Sequence, residues 1–147
     1  MPDTAACKTQ RFEASISVNS DSRIQRLNDK QYAKGDYVLY WMQQSQRAEE
    51  NHALEYAVRK ANAVNLPVLV AFGLANGYPE ANLRHYSFML EGLREVRREL
   101  AKRKILFVAR HGEPPEVALR LGRRASCIVC DRGYLRHQVL WREQVAC

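Results

Sequence analysis

Tyr37-Val38-Leu39-Tyr40-Trp41-Met42 is an unbroken apolar and aromatic run with no polar residue at alternate positions. A strand with one wet face alternates, whereas a strand covered on both faces reads as a continuous run. The run therefore predicts a central strand of a sheet sandwiched between helices. Downstream, Ala48, Ala53, Leu54, Ala57, Val58 and Ala61 recur at helical spacing, with Glu49, Glu50, Glu55, Arg59 and Lys60 largely on other faces. Leu66 to Phe72 is a second apolar run, and Gly73 to Pro79 carries the turn residues Asn76-Gly77 and Pro79.

A long helix is expected from about Glu80 to Arg103, burying Leu83, Tyr86, Met89, Leu90, Leu93, Val96 and Leu100. Its acidic residues cluster early and Lys102-Arg103-Lys104 closes it, as the helix dipole favours. Ile105 to Ala109 is a third strand. Pro114 to Leu121 is a short helix, with proline in its first turn and Gly122 past its end. Ser126 to Cys130 is a fourth strand, and Leu135 to Ala146 is a last helix with Leu135, Val139, Leu140 and Val145 apolar.

Four strand–helix pairs in alternation define an α/β fold, a Rossmann-like open parallel sheet with helices on both faces. Ligands of such sheets bind beyond the carboxyl ends of the strands. Here those ends are Trp41 to Gln44, Phe72-Gly73, Arg110-His111-Gly112 and Asp131 to Tyr134.

The length of 147 residues accommodates one core of ordinary domain size. Residues 1–35 are polar and lack sustained periodicity, so they read as an arm or loop, with Arg23 to Leu27 packing locally. No apolar run approaches the roughly 18 residues of a membrane span. Met1-Pro2-Asp3 does not open a secretory leader, and a cytoplasmic address is the expectation.

The formal net charge is +7. Leu83 to Arg124 holds 11 basic and 5 acidic residues, so this one stretch carries +6 of the excess. Such a stretch attracts phosphate-rich partners by counterion release. The competing reading is a solvated helix face whose Glu91, Glu95 and Glu99 pair with neighbouring arginines.

Among Cys7, Cys127, Cys130 and Cys147, only Cys127-Ile128-Val129-Cys130 has C-x-x-C spacing. An odd separation along a strand sends the two side chains to opposite faces, so the pair reads as structural and no metal site is expected. His52, His85, His111 and His137 are scattered and read as surface or packing residues. The glycines form neither G-x-G-x-x-G nor a P-loop. No set of nucleophile, base and orienting group assembles either.

Three stretches resemble class II DNA photolyases. They are Asp36 to Gln43 continuing through Gln46-Arg47-Ala48-Glu49-Glu50-Asn51-His52-Ala53-Leu54; Phe72-Gly73-Leu74 with Tyr78 to Tyr86 and Phe88 to Leu93; and Cys130-Asp131-Arg132-Gly133-Tyr134-Leu135-Arg136 with Trp141-Arg142. The resemblance covers nearly all of Asp36 to Ala146. It implies a light-driven enzyme repairing DNA with cyclobutane pyrimidine dimers, in which FAD in a C-terminal helical domain donates the electron. The chain resembles only the N-terminal α/β domain, which in many members holds an antenna chromophore of deazaflavin or flavin type. Nothing resembles the FAD domain, and a fifth strand expected after Ala146 has no counterpart. Residues 36–147 thus read as an incomplete photolyase-like domain, which by itself is not expected to split dimers.

With this resemblance, Trp41 and Met42 either line an antenna pocket, as aromatic and thioether groups can, or belong to the core. Gln43, Gln46 and Arg47 stand where polar donors could meet a chromophore, although Arg47 could equally pair with Glu50 or Asn51. Asp131, Arg132 and Tyr134 are either pocket rim or, for Asp131, the cap of the following turn. Two alternatives remain: a stand-alone nucleotide- or flavin-binding module with AMP or FMN at the first and fourth strand ends, and a nucleic-acid-binding fragment using Arg94 to Arg124. The fourth strand, lacking a neighbour, would be an apolar edge prone to self-association.

Overall fold

The computed structural model describes residues 21–75 and 83–147. After a 3-10 turn, Asp21–Arg23, come β1 (Tyr37–Trp41), α1 (His52–Ala63), β2 (Val68–Leu74), α2 (Leu83–Lys102), β3 (Leu106–His111), α3 (Pro114–Gly122), β4 (Ala125–Cys130) and α4 (Arg136–Ala146). All the pairings are parallel and the strand order is β3-β2-β1-β4. The α/β alternation seen in the sequence thus closes into an open sheet with β1 and β2 at its centre. Every strand and helix falls within two residues of its expected place, apart from the starts of α1, which begins at His52 and not at Ala48, and of α2: residues 76–82, where that helix was expected to begin, lie outside the described set.

β1 is covered on both faces, as its unbroken run requires. Val38 and Tyr40, with Val70 of β2, pack under Leu54, Ala57 and Ala61 of α1 and Val96 and Leu100 of α2. Leu39, Leu69, Ala71 and Ala125 form the opposite layer, against Leu121 and Ile128. α3 buries Val117 and Ala118, and α4 packs on α3 without burying any residue fully. Ala48 is buried, but in the loop before α1 rather than on the helix.

The expected stripe of α2 holds only in its second half. Leu93, Val96 and Leu100 are buried, whereas Leu83 is 83% exposed and Leu90 38%. Length explains the difference. Twenty helical residues run about 30 Å, and strands of six or seven residues only about 20–24 Å. The amino-terminal half of α2 therefore projects past the strand carboxyl ends. The described part of α2 has no acidic residue in its first turn, Glu80 lying outside the described residues, and Lys102 sits in its last turn.

Among the described residues, Glu99 pairs with Lys102, Glu55 with Arg103 and Asp36 with Arg124. The pairing expected of Glu91 and Glu95 with Arg94, Arg97 and Arg98 is absent from this set. Residues 22–35 lie along the surface: Lys60 Nζ sits 5.3 Å from the centre of the Tyr32 ring, and the Ala33 N–H donates to the Ser126 carbonyl at the start of β4.

Candidate functional site

β1 ends at Trp41, and the chain must turn to start α1 eleven residues later. Asn51 organises that turn. It is 1% exposed, and its side-chain oxygen caps α1 by accepting the Leu54 N–H at 3.0 Å. Its amide nitrogen donates to the carbonyls of Ser45 and Arg47 and to Tyr40 Oη, each at 3.0 Å. Tyr40 Oη in turn donates to Asp131 Oδ1 at 2.7 Å. Asp131 Oδ2 then accepts the backbone N–H groups of Gln44 and Ser45, both at 3.0 Å. A single chain of hydrogen bonds thus runs from the cap of α1, through the core, to the end of β4 and back to the β1 loop. Burial, reinforced by the adjacent Asp131 carboxylate, holds the Tyr40 phenol well above its ordinary range, so it remains a proton donor.

In this fold the strand order reverses between β1 and β4, where an anionic ligand would meet free backbone amides. Asp131 already occupies those donors with its own carboxylate. The open space lies one strand over, above β1 and β2.

Gln43 shapes it. Its side-chain amide mimics a strand neighbour: Oε1 accepts the Gly73 N–H at 3.1 Å and Nε2 donates to the Gly73 carbonyl at 3.2 Å. A Cβ at Gly73 would come within 2.6 Å of Pro114 Cα, so only glycine lets β2 pass this close to α3. The resulting cavity is about 300 Å³. Its floor is Gln43, Phe72 and Gly73; the projecting half of α2 gives one wall with His85, Tyr86 and Met89. Gln138 and Trp141 of α4 give the other, with Gln44 and Gln46 on the rim. Gln138 Nε2 donates to Gln44 Oε1 at 2.8 Å, joining α4 to the β1 loop, and Tyr86 Oη donates to the Ala75 carbonyl.

Of the residues singled out from the sequence, Gln43 and Gln46 line this cavity. Trp41 and Met42 are buried and outside its lining, 3% and 0% exposed, Met42 within the α1-side core. Arg47 is exposed beside the Asn51 turn and outside the lining. Asp131 holds the loop rather than facing the space. Arg132 and Tyr134 stack on each other, with the guanidinium carbon 5.6 Å from the ring centre, and Tyr134 is 80% exposed. Gln44, Phe72 and Gly73, named among the strand ends, also line it, whereas Tyr86, Gln138 and Trp141 were not singled out as ligand contacts, because each reads locally as part of an ordinary helix. For Asn51 the signal was obscured: an asparagine directly before a helix is a cap candidate, but the apolar spacing read from Ala48 placed it inside the helix.

Cys127 is packed on the α1 side, while the burial of Cys130 is felt together with Asp131 and with Arg142 of α4. The C-x-x-C residues are both free thiols, and no group of three potential metal ligands occurs among the described residues. No described helix is long and apolar enough to cross a membrane.

The DNA photolyase family model matches residues 38–147, which include every strand and helix above except the short 3-10 turn and the first residue of β1. The chain belongs to the DNA photolyase family. It is 46% identical over 125 residues to a deoxyribodipyrimidine photo-lyase of Methanothermobacter thermautotrophicus, covering 84% of this chain and 28% of that protein. It is 39% identical over 109 residues to the Potorous tridactylus enzyme of the same name, covering 73% and 20%. With the Oryza sativa enzyme it shares 34% over 146 residues, covering 92% and 28%. This chain therefore spans less than a third of the length of these photolyase relatives. Among solved structures, a universal stress protein from Archaeoglobus fulgidus aligns at TM-score 0.42 and 16% identity, over 64% of this chain and 74% of that one.

Proposed function

We propose that this chain is the N-terminal α/β domain of a class II cyclobutane pyrimidine dimer photolyase, and that its cavity holds an antenna chromophore. The observation that carries the reading is the cavity at the strand carboxyl ends, where glutamine amides and aromatic rings converge. Its 300 Å³ falls at the lower end of small-ligand sites, which run from about 300 to 1,000 Å³. Gln44, Gln46 and Gln138 offer carbonyl and amide groups suited to the imide edge of a deazaflavin or flavin ring, and Phe72, Tyr86 and Trp141 offer surfaces for its faces. Bound there, the chromophore would supply near-ultraviolet and blue absorbance. The described lining contains no lysine or arginine. It thus suits an uncharged ring system better than a phosphate-bearing nucleotide.

The occupation of the Gln44 and Ser45 amides by Asp131 weighs against the alternative of AMP or FMN at the β1 and β4 ends. Repair of DNA in this reading belongs to the whole protein with its FAD-binding part, acting in the cytoplasm.

The test is uptake. The purified chain is incubated with 8-hydroxy-5-deazaflavin or riboflavin, desalted, and scanned for retained absorbance. Retention near one equivalent, lost in Trp141→Ala and Gln46→Leu, supports the site. No retained absorbance with either compound overturns the antenna assignment.

A further inference from the structure

The outer flank of α2 carries a feature that the cavity reading does not use. Arg94, Arg97, Arg98 and Ala101 follow at helical spacing and line one open hollow of about 530 Å³. All three arginines are exposed, and no carboxylate among the described residues pairs with them. Glu99, the nearest acidic residue with an ion pair, is engaged by Lys102.

Direction follows from the helix itself. Leu93, Val96 and Leu100 face the sheet. Arg103 reaches sideways to the Ala48 carbonyl and to Glu55 of α1. The three arginines lie roughly half a turn around the axis from Arg103, and so look away from α1, over the β3 edge of the sheet. Leu106 of β3 is 65% exposed at that edge, and Arg110 is also exposed there. Three unpaired guanidinium groups in a row, in a region with a +6 excess, form a concentrated positive surface.

We propose that this flank of α2 binds the phosphate backbone of nucleic acid without regard to sequence or lesion. Guanidinium groups are planar forks that match phosphate oxygens. From Arg94 to Arg98 the helix rises about 6 Å, which matches the spacing of about two phosphates along one strand. An anionic membrane surface is the other polyanion with this charge. A helix that binds such a surface does so by burying its apolar face among the lipids. In this half of α2 that face is already spent on the sheet. The proposal does not depend on the chromophore and would stand if the cavity took up none.

The test uses the full chain and a labelled 20-base-pair undamaged duplex, with binding followed by fluorescence anisotropy across a salt series. Binding is expected to weaken with salt along a slope of about −2 to −3 in log–log form, at about 0.9 per phosphate neutralised. R94A/R97A/R98A is expected to lose at least tenfold in affinity at low salt and to flatten that slope by about two. R94K/R97K/R98K should retain most of the slope. Lys34→Ala, Arg120→Ala and Arg123→Ala combined remove the same charge elsewhere and should change affinity less than threefold. Equal losses in the two alanine triples, no binding by the parent chain at 50 mM salt, or tighter binding to phosphatidylserine vesicles than to DNA would each overturn the proposal.

Discussion

Tyr40 Oη donates to Asp131 Oδ1 at 2.7 Å, linking the middle of the central strand to the residue that follows the edge strand. These residues are 91 positions apart in the chain, and their contact bears on which strand ends stay open. With Asp131 held by Tyr40, its second oxygen reaches the Gln44 and Ser45 amides, and the β1 loop is drawn toward β4. The space above β1 and β2 is left open.

Tyr40→Phe should therefore lower stability by about 1–3 kcal/mol, since it takes the phenol donor from the half-buried Asp131 carboxylate, while both Asn51 amide protons keep the Ser45 and Arg47 carbonyls. Asp131→Asn should cost a similar or larger amount, because a charge-assisted acceptor of two amides is replaced by a neutral group with one acceptor oxygen. Urea unfolding of both variants and of the double variant checks this. The two losses should be less than additive, as expected of residues in one network.

Gly73→Ala should destabilise by about 1–3 kcal/mol and reduce chromophore uptake, because the new methyl group meets Pro114 backbone rather than a flexible side chain. A thermal melt reads the first effect and retained absorbance the second. A variant with unchanged melting temperature would mean that α3 yields without cost.

The two halves of α2 should respond oppositely to truncation. Leu93→Ala removes a buried side chain from the sheet face and should cost about 2–5 kcal/mol. Leu83→Ser, on the projecting half, should stay within about 0.5 kcal/mol. Chemical denaturation of the two variants side by side distinguishes a helix seated along its whole length from one seated by its second half.

Burial, with the nearby Asp131 charge, pushes the Cys130 thiol from 9.0 up to about 11, and burial raises Cys127 as well. A thiol whose folded pKa is raised favours the folded state fully below its unfolded value, and that contribution is lost as pH rises toward the folded one. Stability should thus fall between about pH 9 and 11, with Cys130 contributing about 1–3 kcal/mol to the fall. Cys130→Ala should flatten this part of the profile in urea titrations. At pH 8, dithionitrobenzoate should label exposed Cys147 well before Cys127 or Cys130.

The order of elements was legible in the chain because each rests on local periodicity: the unbroken Tyr37–Met42 run, the spacing of Leu54, Ala57 and Ala61, and Pro114 opening α3. The family was legible too, since whole motif words such as Asn82 to Tyr86 and Cys130 to Leu135 do not depend on three-dimensional placement. Gln43 and Gln46 were found because residues following a central strand must lie at its carboxyl end. Other features depend on distances between parts of the chain that sequence does not specify. How far α2 outruns the sheet is a matter of relative lengths in space, so the exposure of Leu83 and Leu90 could not be read from a stripe that continues without a break. Whether Asp131 faces a ligand or fills that place itself depends on Tyr40 and on two backbone amides some ninety residues earlier. Local pattern determines which elements form and which face of each is apolar; packing decides which strand ends stay open, because a polar group near a crevice will satisfy any unpaired backbone donor within its reach.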